Sequence, residues 1–195
     1  MTKTATSTTF ILVGFTSSIL EVNSTYSYWI QVGLIFGWIG DVFLIPKGAG
    51  LFFLFGLVSF LFGHICYIIA FFSLKLDLTF LVVASVFITL QTAFIYNYLS
   101  HGATAKFYSL PVKAYIFVIT LMVISAAGNL GYWWINEGSA GPHFFIALKR
   151  FQAAEMFYIS DICVARQRYG KPSPWNKLLG LPFYYWAQIL LAANL

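Results

Sequence analysis

Seven predominantly apolar runs, most of them near the roughly 20 residues that a helix needs to cross a bilayer, leave this chain very few folds. They extend from about Ala5 to Leu20, Tyr26 to Ile45, Ala49 to Leu74, Leu78 to Leu99, Pro111 to Trp134, His143 to Ala165 and Trp175 to Ala193. Hydrocarbon satisfies no backbone polar group, so apolar segments of this length have to be helices. Of the 195 residues, 60% are hydrophobic and 9% charged, whereas about 25% are charged in an ordinary soluble domain. The prediction is an all-α, polytopic transmembrane helix bundle of about seven spans, one integral membrane domain over residues 1–195.

The first run is short and rich in Thr and Ser, with only Lys3 before it. No small-x-small cleavage site follows it, so it reads as a first helix and not as a signal peptide. Charges between the runs alternate, as they should if the count is right. One side collects Lys3, Lys47, Lys106, Lys113, Arg166, Arg168, Lys171 and Lys177, and the other Glu21, Lys75, Asp77 and Glu137. This places the N-terminus in the cytoplasm and the C-terminus opposite, in a multi-pass protein expected in a bacterial inner membrane. The net charge of +5 thus belongs to loops beside spans, and nucleic acid is not an expected partner, whereas membrane lipids are. Turn residues at Pro46-Lys47-Gly48, His101-Gly102, Gly138 to Pro142 and Lys171 to Pro174 fall between the runs. Cys66 and Cys163 lie within runs and form neither a disulfide framework nor a CxxC metal motif.

Asp41, in the stretch FGWIGDVFLIP from Phe36 to Pro46, is the residue that needs explaining. A carboxylate in hydrocarbon costs about 2.5–3.5 kcal/mol even on the mildest scale, which makes it a candidate for function and sets a search for its partner. The best candidate is Asp161 in FYISDICVAR. Both acids lie a few residues before a polar or basic segment end, so they reach a similar depth below one face, roughly 6–10 Å at 1.5 Å per residue. At 100° per residue, Arg150, Ala154, Phe157, Asp161, Ala165 and Arg168 share one face of the sixth run, while Lys149 and Glu155 point elsewhere. That charged face should line a bundle interior or a wet cavity.

Two carboxylates sharing a low-dielectric site repel when both are ionised, which leaves a protonated acid beside a charged base. The competing reading is structural, with each Asp capping backbone or pairing with a basic loop residue. Gly33 and Gly37 form a GxxxG one turn before Asp41 and let another helix approach that face closely. On the third run Phe60, His64, Tyr67 and Phe71 share a face. No metal is expected, because His101 lies on the basic side and His143 near the opposite face, so three imidazoles do not converge. Two roles fit His64, a hydrogen-bonded core histidine or a group that orients a substrate or an acid. Tyr115, Tyr184 and Gln188 are placed to line the same cavity or, for the tyrosines, to anchor at the interface. No GxSxG, HExxH or P-loop occurs.

Taken in order, GDVFLIP, GLVSFLFGHICYIIAFF, PVKAYIF, FYISDICVARQRY and LPFYYWAQILLA resemble the lysoplasmalogenase (YhhN-like) family of multispanning membrane proteins. The likeness runs from about Lys3 to the C-terminus, carried by the GD, GHxxY, SD and YxxxQ elements as a set. Family members usually have eight spans, so the resemblance implies that a helix preceding Lys3 is missing here; a glycine usual about seven residues before Ser160 is Ala153. It implies hydrolysis of the vinyl ether bond of lysoplasmalogens, to a fatty aldehyde and glycerophospho-ethanolamine or -choline, with no cofactor. Asp41 and Asp161 then match the two acidic positions, and His64, Tyr67, Tyr115, Ser160, Arg168, Tyr184 and Gln188 are the expected contacts for the lysophospholipid substrate. Arg168, about 10 Å along the helix from Asp161 at 1.5 Å per residue, is then placed for the lipid phosphate or serves as a positive-inside anchor. A non-enzymatic proton-coupled transporter or lipid sensor, and a hydrolase of another lipid bond, are the rival classes.

Overall fold

A computed structural model describes residues 3–20, 25–46 and 50–194. Among them are seven α-helices: α1 (Lys3–Leu20), α2 (Thr25–Phe43), α3 (Gly50–Phe72), α4 (Leu78–Ser100), α5 (Leu110–Glu137), α6 (Pro142–Tyr169) and α7 (Pro174–Ala193). A single 3₁₀ turn, Ala105–Tyr108, precedes α5. Each of the seven expected runs is a helix, and α5 and α6 in particular extend past what hydropathy alone marks. The last turn of α6 passes Ala165 because Arg166 and Arg168 sit where cations favour a helix C-terminus, and the Gly170 N–H donates back to the Arg166 carbonyl. Asp77 starts α4 by accepting from the Phe80 N–H at 2.7 Å. Gly138, at φ +71°, ends α5 in a conformation that side-chain-bearing residues rarely adopt.

By length and composition alone, α3, α4 and α5 are long and apolar enough to cross a membrane. The other four of the seven expected spans fall short of that measure because of the residues that interrupt them. Helix α6 carries Lys149, Arg150, Glu155, Asp161, Arg166 and Arg168, α1 is rich in Thr and Ser, and Tyr, Trp and Gly dilute α2. Many polar side chains face inward: Ser7, Ser27, Asp41, His64, Asn129, Ser160 and Gln188 are all buried. Outward faces are apolar, as on α4, where Val82, Val83, Phe87, Leu90 and Phe94 are exposed.

Helices α2 and α3, α3 and α5, α5 and α6, and α6 and α7 pack side by side, α1 closes the ring between α2 and α7, and α4 lies outside on α5. The GxxxG glycines account for part of this closeness. A Cβ at Gly33 would stand 2.3 Å from the Tyr67 ring, and one at Gly37 would stand 2.4 Å from Gln188 Nε2. They therefore admit side chains of α3 and α7 to the face that carries Asp41.

Consecutive helices run in opposite senses, which sorts the connections between two ends. At one end lie residues 44–46, the segment from His101 to Ser109 and the segment from Gly170 to Ser173, the last two joined by Thr104 N–H to the Tyr169 carbonyl at 2.8 Å. The other end is cross-tied. Asn129 Nδ2 donates to the Lys75 carbonyl at 2.8 Å, and Arg150 donates twice to the Asn194 carbonyl, at 3.2 and 3.1 Å, with its guanidinium 4.1 Å from the Tyr26 ring centre. Lys106 and Arg168 belong to the first end and Glu137 to the second, while Lys47 and Glu21 lie outside the described residues and the Lys3 side chain is not described. Single cysteines introduced at 106 and at 137 are expected to react with an impermeant thiol reagent from opposite sides of the membrane; labelling of both from one side contradicts this arrangement.

Candidate active site

A cavity of about 510 Å³ opens among α2, α3, α4, α5, α6 and α7, and its lining includes Asp41, Phe60, Tyr115, Phe157, Ser160, Asp161 and Tyr184. Arg168, Lys177, Gln167 and Asn176 also line it, on the last turn of α6 and the first turn of α7. The two acids that the sequence singled out thus face one space, each held by its own set of hydroxyls.

Asp41 is 2% exposed. Its Oδ2 accepts from Ser7 Oγ at 2.5 Å and from Tyr184 OH at 2.8 Å. Behind Tyr184, Gln188 Nε2 donates to its hydroxyl at 3.3 Å, while Gln188 Oε1 accepts from Tyr67 OH at 2.7 Å. One carboxylate therefore ties α1, α2, α3 and α7 together. The Asp161 side chain is 20% exposed, so it presents more of itself to the cavity. Its Oδ2 accepts from Tyr115 OH at 2.6 Å, and that hydroxyl lies 2.9 Å from His64 Nε2.

The ring of Phe157 packs against both clusters, with its centre 5.3 Å from that of Tyr184 and 4.5 Å from that of His64, edge to face in each case. Phe60 packs edge-on against Tyr184 at 5.8 Å and completes the apolar wall.

Of the residues singled out in the sequence, Asp41, Asp161, Tyr115, Ser160, Tyr184 and Arg168 line the cavity together. His64, Tyr67 and Gln188 are buried behind its wall, at 0%, 1% and 0% exposure, and are hydrogen-bonded to its lining through Tyr115 and Tyr184. Arg168 is exposed at the mouth, its guanidinium 4.3 Å from the Phe53 ring centre. The other imidazoles are elsewhere: His101 contacts the Asn97 carbonyl at 2.6 Å, and His143 pairs with Glu137 at 2.5 Å and stacks on Trp133. Glu155 meets Gln91 of α4, away from the cavity.

Sequence reasoning missed Ser7 and Lys177. Ser7 was hidden in a Thr/Ser-rich run, yet Ser7, Phe10 and Gly14 recur at helical spacing and are the buried face of α1. Lys177 looked like a loop charge, but it stands in the first turn of α7 and lines the same cavity as Arg168.

The YhhN family model matches residues 1–195. The chain belongs to the YhhN family. Similar curated proteins are lysoplasmalogenase TMEM86A from Bos taurus, 31% identical over 169 residues, and lysoplasmalogenase TMEM86A from Homo sapiens, 32% identical over 169 residues. Each match takes in 85% of this YhhN chain and 64% of the relative, so the chain spans somewhat under two thirds of the length of these relatives. No solved structure matches it significantly.

The Tyr67–Gln188–Tyr184 chain predicts a stability effect away from the acids. Tyr67→Phe keeps the ring against Gly33 but strands the buried Gln188 oxygen, at a cost of about 1–3 kcal/mol. A denaturant or thermal titration in detergent micelles should show a clearly earlier transition, and an unchanged one would mean that Gln188 is satisfied in another way.

Proposed function

We propose that this chain is a membrane hydrolase that cleaves the vinyl ether bond of lysoplasmalogens, giving a fatty aldehyde and glycerophospho-ethanolamine or -choline, with Asp41 and Asp161 as the acid–base pair. What carries the reading is one cavity that has two carboxylates on its wall and Arg168 and Lys177 at its mouth. A lysophospholipid fits that arrangement. Its phosphate suits the cations at the mouth, its chain suits the apolar wall, and its reactive bond lies between the two. The curated relatives are named for this reaction. The basic end of the bundle, and the N-terminus with it, then faces the cytoplasm, and the bacterial inner membrane is the proposed location.

A vinyl ether is opened by protonation of its β-carbon, which leaves an oxocarbenium ion. Asp161, the more accessible acid, supplies that proton. Asp41 takes a proton from the water that attacks the oxocarbenium carbon, giving a hemiacetal. On collapse, the hemiacetal hydroxyl proton returns to Asp161 and the Asp41 proton goes to the departing glycerol oxygen. Both carboxyls end as they began, and the net consumption is one water. While positive charge stands on the substrate, the carboxylates also stabilise it electrostatically.

Asp41→Asn and Asp161→Asn should each lower turnover by about 10² or more, the lower range for loss of a general acid or base. Aldehyde release by purified protein, on lysoplasmalogen beside the matching ester lysolipid, measures it; near-normal turnover in a monodisperse variant would remove that residue from the mechanism.

Carbon protonation leaves a mark of its own. Turnover in heavy water, with the aldehyde trapped at once as an oxime, should place one deuterium next to the carbonyl carbon and slow the reaction. Product without deuterium rules out this chemistry.

A further inference from the structure

His64 is fully buried and does not line the cavity, yet it is the second neighbour of the acid that does. Its Nε2 lies 2.9 Å from Tyr115 OH and 3.5 Å from Asp161 Oδ2, and Tyr115 OH lies 2.6 Å from the same Oδ2. Among the described residues its Nδ1 has no hydrogen-bond partner. We propose that His64 and Asp161 hold one proton between them through the Tyr115 hydroxyl, so that His64 is the positioning residue that stores the proton of the acid facing the cavity. The proposal rests on the reading of Asp161 as the catalytic acid.

A phenol donates one hydrogen and accepts others, so the chain can be polarised in either direction. With the proton on Asp161, its O–H donates to the Tyr115 oxygen and Tyr115 donates to a neutral His64 Nε2. With the proton on His64, Nε2–H donates to Tyr115 and Tyr115 donates to the Asp161 carboxylate. The Tyr115 oxygen passes one proton on as it takes another, so Asp161 loses one and His64 gains one, and Nδ1 keeps its hydrogen throughout. An isolated imidazolium or carboxylate would be costly to bury. A pair with one shared proton is neutral overall in both arrangements, and this favours a total of one proton over none or two.

The unpartnered Nδ1 makes His64 the end of the chain, a store and not a conduit to water. An apolar chain entering the cavity expels water from Asp161 and favours the arrangement with the proton on the acid. Other titratable groups nearby are otherwise engaged or offset. Tyr67, on the same helix, is bound to Gln188; Cys163 lies two residues beyond Asp161; Tyr184 and Asp41 lie beyond Phe157.

The test is nitrogen NMR of the full chain in lipid nanodiscs with labelled histidine, of which the sequence has 3. His64→Gln identifies the His64 resonances, while His101 and His143 report whether each variant is folded. A shared proton predicts that Tyr115→Phe and Asp161→Asn each displace the Nε2 resonance of His64 and leave those of His101 and His143 in place. Tyr115→Phe should also lower kcat about tenfold or more with KM within about twofold, the split expected when proton supply is lost and binding is kept. An unmoved His64 Nε2 resonance in both variants overturns the proposal. This readout does not depend on the substrate: if wild-type protein leaves lysoplasmalogen intact, the proposed function fails while the shared proton is still decided by the resonances.

Discussion

A carboxylate cannot lie in the middle of a helix bundle unless several elements supply it with hydrogen atoms, and at Asp41 that requirement organises the packing around it. The Asp41 group sits on α2, but its donors come from α1 and α7, and the Tyr184 donor is itself fixed by Gln188 and through it by Tyr67 of α3. The cost of stranding a buried charge is several kcal/mol, larger than most single packing terms. Geometry at this point is therefore set by the acid, and the small residues follow from it. Gly33 and Gly37 leave room for the side chains that complete the network.

Asp161 is treated differently. It is partly open to the cavity and has one phenol between it and a buried imidazole. Phe157 packs against both clusters, so the two acids share a space while each keeps its own hydrogen-bond partners. Separate environments are what allow two chemically identical groups to play opposite parts in acid–base chemistry.

Much of this was legible from sequence because hydrocarbon restricts the options. Helix order, the grouping of basic connections and the conspicuous position of Asp41 and Asp161 all follow from apolar runs interrupted by charge. What escaped was anything decided by rotation of one helix about its axis relative to another. Ser7 is one hydroxyl among many on α1, and no local signal says that this one turns inward. Lys177 reads as a positive-inside charge because periodicity cannot show that α7 starts beside the last turn of α6. His64, Tyr67 and Gln188 were visible as polar residues on apolar helices, but only packing distinguishes a residue on a cavity wall from one behind it.

Arg150, on α6 at the end of the bundle away from the cavity, has a mechanical meaning. Arg150 joins α6 to the end of α7 through the Asn194 carbonyl and to α2 through the Tyr26 ring. Three helices whose other ends frame the cavity are thus riveted together far from it. Tyr184 fastens α7 to α2 at the cavity end through Asp41, so Arg150 and Asp41 act as two clasps on one strap, and the walls between them are held at both ends.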